Sequence, residues 1–176
     1  YGLKEYVRSR VISLEVAKKL CREVHYRLRG KDYYSIGLKN DSGGWELRNR
    51  YYKNSCSPKD TSHIRNGANK LIVTEGMFDM LSLMELNPKL ESESDFLVLN
   101  SAAFVKKVFD RIEEYDSIEL YLDRDATGRK ITQQLMAASK KCIDRSRLYE
   151  GFKDMNEWLV NRTKTGVAKG RQDVFL

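Results

Sequence analysis

Residues 118–128 read Ile-Glu-Leu-Tyr-Leu-Asp-Arg-Asp-Ala-Thr-Gly, and residues 70–79 read Lys-Leu-Ile-Val-Thr-Glu-Gly-Met-Phe-Asp. Each stretch begins as a short apolar strand, ends on acidic residues and a glycine, and then continues into a helical pattern. Strands that alternate with amphipathic helices build a parallel sheet that helices cover on both faces. The two stretches therefore predict an α/β fold in which acidic residues follow the strands.

The alternation of strands and helices continues through most of the chain after residue 70. We predict four strand–helix pairs, at residues 71–74 with 78–86, 96–99 with 102–115, 118–122 with 127–142, and 147–149 with 155–161. In such sheets, ligands bind beyond the carboxyl ends of the strands. Glu75, Asp123, Asp125 and Asp154 all fall at those ends, so the sequence predicts that their side chains converge.

The predicted cluster of carboxylates indicates a metal site. Like charges that lie close together are unfavourable unless a cation neutralises them, and Mg²⁺ and Mn²⁺ prefer oxygen ligands. We predict that Glu75, Asp123 and Asp125 bind such a metal, with Asp154 as a further ligand. Simpler interpretations stay open. An acidic residue such as Glu75 near a helix start complements the helix dipole, Asp123 and Asp125 fit a solvated turn, and Asp154 fits a helix cap.

The first third of the chain predicts a smaller α+β unit, a helix plus a β-hairpin. Ser13 can cap a helix that runs to about residue 28, and strands at 33–38 and 45–52 flank a turn, Asn-Asp-Ser-Gly-Gly, at residues 40–44. Residues 56–67 have the composition of a linker. We place the N-terminal unit at residues 1–66, the α/β domain at 67–163 and a flexible tail at 164–176.

Lysine and arginine outnumber acidic residues by 32 to 25, which gives a net charge of +7 and favours polyanionic partners. Because the predicted site is acidic, the positive charge must lie elsewhere. We predict that Arg48, Arg50, Lys53 and Lys59 line a groove that binds nucleic-acid phosphates, with Tyr52 available for stacking. A solvated strand face would explain the same residues.

Cysteine, histidine and hydropathy patterns exclude several classes of protein. The three cysteines form no Cys-x-x-Cys pair and the two histidines are isolated, so we predict no zinc site in this chain. No apolar run approaches the roughly 20 residues that span a bilayer, and no secretion signal is visible. We therefore expect reduced thiols, a cytoplasmic location and no membrane partner. Because the first residue is Tyr1 and not Met, we expect a piece of a longer protein.

Taken together, these motifs resemble the TOPRIM domain, which bacterial primases share with type IA and II topoisomerases, OLD-family nucleases and RecR-type repair proteins. That domain has a Glu-Gly turn after its first strand and an Asp-x-Asp after its third, similar to Glu75-Gly76 and Asp123-Arg-Asp125. The primase version, Glu-Gly-x-x-Asp and Asp-x-Asp-x-x-Gly, adds Asp79 and Gly128. The primase element Lys-Asp-Pro-Asp is similar to Lys153-Asp-Met-Asn156, in which Asn replaces the last Asp.

The resemblance extends upstream of these motifs. Residues 34–49, with Ser-Pro-Lys-Asp at 57–60, are similar to the segment before TOPRIM in primases of Bacteroides-type conjugative and mobilizable elements. Those proteins begin with a zinc-binding domain. The resemblance therefore implies that zinc belongs to an upstream domain missing from this chain.

The resemblance implies a DNA primase that makes RNA primers during replication of a mobile element. It implies Mg²⁺ or Mn²⁺ held by Asp123, Asp125 and Asp154, with Glu75 as general base or further ligand. Supporting roles fall to Gly76, Asp79, Gly128 and Asn156. The implied partners are a single-stranded DNA template, nucleoside triphosphates and a replicative helicase.

Two other functions stay open. A metal-dependent nuclease of the OLD type uses the same Glu and Asp-x-Asp, so the acidic residues do not separate it from a primase. A non-catalytic DNA-binding module of the RecR type is the third hypothesis, and the retained carboxylates argue against it. The segment at residues 34–49 favours the primase. The absence of room for a strand-cleaving tyrosine domain in this chain argues against a topoisomerase.

Overall fold

The computed structural model describes residues 2–165. The helices in this range are α1 (Leu3–Ser9), α2 (Leu14–Leu20), α3 (Met77–Leu86), α4 (Leu90–Glu93), α5 (Lys106–Phe109), α6 (Ala126–Ala138) and α7 (Met155–Lys164). The strands are β1 (Cys21–Leu28), β2 (Lys31–Lys39), β3 (Trp45–Arg48), β4 (Lys53–Cys56), β5 (Ser62–Ile64), β6 (Lys70–Thr74), β7 (Asp95–Val98), β8 (Ser117–Tyr121) and β9 (Cys142–Asp144). Short 3₁₀ helices cover Ala102–Phe104, Ile112–Glu114 and Ser146–Tyr149. The predicted tail lies outside the described residues from residue 166 onward.

The larger sheet confirms the predicted α/β fold. Its strands have the order β5-β7-β6-β8-β9, in which β6, β7, β8 and β9 are parallel and β5 pairs antiparallel with β7. The edge strand β5 comes from the predicted linker. At three residues it is too short to show a periodic pattern, so only pairing with β7 reveals it.

Helices cover both faces of this sheet because its strand residues alternate between two hydrophobic cores. Ile72 and Phe96 point into a core with α1, α2, α3 and α7. Leu71 and Val73 point into the other core, with residues of α5 and α6. All four strand residues are at most 1% exposed, as expected for a sheet covered on both sides.

The N-terminal unit is larger than the predicted helix and hairpin. Helix α2 ends at Leu20, and Cys21–Leu28 forms β1 instead of continuing the helix. Every residue of β1 pairs with β2, and β3 and β4 complete a four-stranded antiparallel sheet. The prediction of a helix to residue 28 was wrong because the apolar residues of this segment fit both the helical spacing and the alternation of a strand. The eight residue pairs with β2 favour the strand.

Three other boundaries differ from the predictions. The predicted strand at 45–52 ends at Arg48, where Asn49 Oδ1 accepts hydrogen bonds from the Tyr51 and Tyr52 N–H groups and forms a turn. The predicted helix at 102–115 is one turn of α5 between two 3₁₀ helices. The predicted strand at 147–149 is a 3₁₀ helix, and the strand of this region, β9, begins earlier, at the residue predicted to end the preceding helix.

No helix of the described chain is both long enough and apolar enough to cross a membrane.

Candidate active site

The predicted acidic residues lie at the carboxyl edge of the larger sheet. Glu75 directly follows β6, and Asp123 lies two residues beyond β8. Asp125 caps α6 by accepting a hydrogen bond from the Gly128 N–H at 3.0 Å, and Asp154 caps α7 through the Glu157 N–H at 2.7 Å. Both aspartates therefore have the capping role, whether or not they also bind a ligand.

Glu75 and Gly128 fit each other closely. The Glu75 carboxylate accepts the Asp123 N–H at 3.0 Å, which joins the ends of β6 and β8. A Cβ atom at Gly128 would lie 2.1 Å from the Asp123 carbonyl oxygen and 2.9 Å from Glu75 Oε2. Only glycine leaves room for α6 to begin against this pair of groups.

Lys153 places a positive charge among the carboxylates. Its Nζ lies 3.3 Å from Asp123 Oδ2 and 3.8 Å from Asp125 Oδ2. The hydrogen bond to Asp123 raises the pKa of Lys153. An ammonium group of the chain itself therefore neutralises the Asp-x-Asp motif in this structure.

The predicted metal-site residues have the right chemistry for a divalent ion, but their side chains are not arranged around a common point. Among residues 2–165, no group of three or more His, Cys, Asp or Glu side chains is arranged to hold a metal ion. The donors are nevertheless carboxylates, the ligands of choice for Mg²⁺ and Mn²⁺, and the Lys153 ammonium stands where a cation is favoured. A divalent ion bound to both aspartates would have to displace that ammonium.

Burial and mutual repulsion shift the acidic groups toward their neutral forms. Burial, followed by the charge of Asp123, raises the pKa of Glu75. Burial and the charge of Asp154 raise the pKa of Asp123, and they raise the pKa of Asp79 well above its ordinary value. Added positive charge would therefore stabilise the ionised cluster.

Asp79 and Asn156 lie beneath the carboxylate edge and not on it. Both are buried, and Asp79 Oδ1 accepts the Asn156 N–H at 3.2 Å. Asn156 Nδ2 donates to the Arg10 carbonyl at 2.9 Å and to Ser82 Oγ at 2.8 Å. Asn156 thus joins three helical segments and, in this structure, supports the site from inside.

A cleft of about 750 Å³ separates the carboxylate edge from the N-terminal sheet. Glu75, Asp123 and Asp154 line one side. Arg48, Lys53 and Lys59 lie across it, so three of the four predicted basic residues face the cleft. The fourth, Arg50, lies in the turn after β3 and does not line it.

Arg48 is not the solvated residue of an exposed strand face. Its side chain is 12% exposed and lies 3.9 Å from the Glu46 carboxylate. Burial lowers the pKa of Arg48 and raises that of Glu46. The pair gives the basic side of the cleft a guanidinium that is already partly neutralised.

Two further residues line the cleft: Arg10, which the sequence did not indicate, and Asn100, which follows a predicted strand but had no predicted role. The Arg10 guanidinium lies 5.4 Å above the Phe78 ring, and its buried Nε has no hydrogen-bond partner. Asn100 has a positive φ of 61°, donates its N–H to the Glu75 carbonyl and donates its amide to Asp60 and Ser62. Its position after a strand was visible in the sequence, whereas nothing local marks Arg10.

Comparisons with known proteins agree with this arrangement. A family model described as Toprim-like matches residues 72–159, and one described as a domain of unknown function (DUF8464) matches residues 1–57. The primase fragment of the bacteriophage T7 primase-helicase protein is similar, with a TM-score of 0.65 and 23% identity over 95% of this chain and 76% of that chain.

Two further structures have the same fold. The first is a bacteriophage T7 assembly of the lagging-strand DNA polymerase with primase domains bound to an RNA/DNA hybrid and dTTP, with a TM-score of 0.64, 24% identity, and 91% and 86% coverage of this chain and that chain. The second contains the zinc-binding and RNA polymerase domains of the Aquifex aeolicus primase, with a TM-score of 0.55, 17% identity, and 93% and 53% coverage. At these identities the likeness shows a shared fold.

Proposed function

This chain belongs to the Toprim-like family, and from that membership we propose that it is the catalytic core of a DNA primase that synthesises RNA primers on a single-stranded template. One observation carries the proposal: the carboxylates of Glu75 and Asp123, beyond the ends of β6 and β8, and that of Asp154, at the start of α7, line a single cleft together with a set of cations. Primer synthesis needs this combination, because a metal-binding edge must meet a surface that holds polyanionic substrates.

The proposed boundaries and setting follow the sequence analysis. Residues 1–66 would form the basic side of the core and residues 67–163 the Toprim domain. The resemblance of residues 34–49 supports a protein of a Bacteroides-type mobile element that acts in the cytoplasm with a replicative helicase.

Asp123 and Asp125 would hold Mg²⁺ or Mn²⁺, with Asp154 as a further ligand. When bound, the metal would neutralise the triphosphate charge and lower the pKa of a coordinated hydroxyl. Displacement of Lys153 from the two aspartates would make its ammonium available to the incoming phosphates.

Glu75 would act as the general base, or as one more ligand. Its raised pKa brings it closer to neutral pH, where a carboxylate accepts protons more readily. Lys53 and Lys59, exposed on the opposite side of the cleft, would bind phosphates of the nucleotide or template.

Primer extension and de novo synthesis test the proposal separately. We expect weak Mn²⁺-dependent extension of a supplied primer and little unprimed synthesis, since initiation must position two nucleotides and a template at once. Loss of Glu75 should lower extension by about 10²-fold if it is the base. Asp123→Asn with Asp125→Asn should abolish it, whereas Asp116→Asn, at the other end of β8, should not.

Cleavage of DNA without nucleotide incorporation would contradict the primase and favour the nuclease. DNA binding with neither activity, even when the chain is joined to a zinc-binding domain, would favour the non-catalytic module.

A further inference from the structure

The two faces of the N-terminal sheet differ in chemistry. Strand register places Cys21, Ile36 and Leu38 on the inner face, where they join the core shared with the helices. The acidic residues of the four strands, Glu23, Asp32 and Glu46, lie on the same face by register. The opposite face, here called the outer face, consists of Arg22, Val24, Tyr26, Leu28, Lys31, Tyr33, Ser35, Gly37, Lys39, Trp45, Leu47, Asn54 and Cys56.

Aromatic rings form a row along the outer face. Tyr26 and Tyr33 stack with centroids 5.7 Å apart and planes at 18°, and Tyr52 packs edge-on against Tyr33 at 6.0 Å. Tyr51 follows at 6.3 Å from Tyr52, and these last two residues are 71% and 54% exposed. At the other end Trp45 lies over Gly37, where a Cβ would come within 3.0 Å of the indole.

The outer face carries cations and no carboxylate on its described strands. Arg22, Lys31 and Lys39 are exposed there, and the register sends every acidic residue of the same strands to the inner face. Neither hydrophobic core of the described chain includes an outer-face residue. Tyr51 and Tyr52 are exposed, and Tyr26 and Tyr33 are half-buried. A row of such rings on a sheet face whose strands carry only positive charge complements a polyanion that also presents flat rings.

We propose that the outer face binds single-stranded nucleic acid, whose bases stack on Tyr33 and Tyr52 while Arg22, Lys31 and Lys39 neutralise its phosphates. The inference deepens the proposed function, because it identifies a second contact for the template outside the catalytic cleft. The cleft opens on the inner face of the same sheet. A strand bound on the outer face would therefore be held beside the catalytic cleft without occupying it.

Binding of a labelled oligothymidylate, measured by fluorescence anisotropy in EDTA, tests the proposal without catalysis. Tyr33→Ala with Tyr52→Ala should weaken binding about 30-fold or more, the loss expected for two stacking contacts. Tyr33→Phe with Tyr52→Phe keeps the rings and should bind as the unmodified protein does. Lys31→Gln with Lys39→Gln should weaken binding and reduce its salt dependence, whereas Lys140→Gln, before β9, should not.

Heparin, a polyanion without bases, separates stacking from charge. The alanine variant should bind heparin normally, and the Lys31→Gln and Lys39→Gln variant should bind it less tightly. If the alanine variant binds oligothymidylate normally, the proposal is overturned. Equal losses for both ligands, in a variant whose circular dichroism and thermal midpoint are unchanged, would also overturn it, since the surface would then recognise charge alone.

The same proteins distinguish this inference from the proposed function. Ring-dependent DNA binding in EDTA by a protein that never extends a primer would support the outer face and refute the primase. Primer extension by the unmodified protein, together with DNA binding that does not change when Tyr33 and Tyr52 are replaced, would support the primase and refute the outer-face site.

Discussion

Lys153→Met should tighten binding of Mn²⁺, because the ammonium and the metal compete for the same two aspartates. The Lys153 ammonium lies 3.3 Å from Asp123 and 3.8 Å from Asp125, and its side chain is 60% exposed. Ion pairs at this exposure are worth roughly 0.2–1 kcal/mol each. Breaking two of them costs about 1 kcal/mol, so the variant should bind Mn²⁺ roughly fivefold more tightly.

Calorimetric titration of the metal-free protein with MnCl₂ measures this change directly. Met is chosen because it keeps the length of the side chain but has neither charge nor donor. Lys140→Met is the matched control, since Lys140 is exposed in the loop before β9. The Mn²⁺ affinity of this control variant should equal that of the unmodified protein. Asp123→Asn with Asp125→Asn should remove the binding and so locate it at these residues.

An unchanged or weaker Mn²⁺ affinity in Lys153→Met would refute the reasoning. Either result would mean that the metal does not compete with the ammonium for Asp123 and Asp125. Binding that survives the double asparagine variant would place the metal elsewhere.

Two further predictions concern the buried residues beneath the site. Asn156→Asp, which introduces the acidic residue of the primase motif, should lower the free energy of unfolding by about 3 kcal/mol. A carboxylate cannot donate a hydrogen bond to the Arg10 carbonyl, and it places a second acidic group in the buried surroundings of Asp79. Urea unfolding measures this free energy, and a variant as stable as the parent would contradict the assigned role of Asn156. Burial raises the pKa of Asp79, so the folded state holds its proton more tightly than the unfolded chain and loses stability as pH rises through that raised pKa. In EDTA, the Asp79→Asn variant should therefore have a higher thermal midpoint than the unmodified protein at pH 8, and this difference in midpoint should narrow toward pH 4. A difference that does not depend on pH would contradict the proposed effect of the Asp79 charge.

The sequence by itself determined the α/β domain and the edge of its sheet on which the acidic residues lie. Strands β6 and β7 are largely apolar and buried on both faces, and β8 buries Ile118, Leu120 and Tyr121; such short apolar stretches are visible locally. Because parallel strands end at one edge, the positions of Glu75 and Asp123 followed from strand ends alone. The capping role considered for Asp154 was likewise local, since a cap needs only the first few residues of the helix.

The tertiary structure alone decided what each of these residues faces. Whether residues 21–28 continue a helix or form β1 depended on pairing with β2. Lys153 meets Asp123 across 30 residues of sequence, and Asn156 reaches Arg10 across 146. The division of the N-terminal sheet into an inner face that carries all of its acidic residues and an outer face with the stacked tyrosines required the register of four strands. Local patterns record the period of a segment, but contacts between distant segments depend on how the whole chain packs.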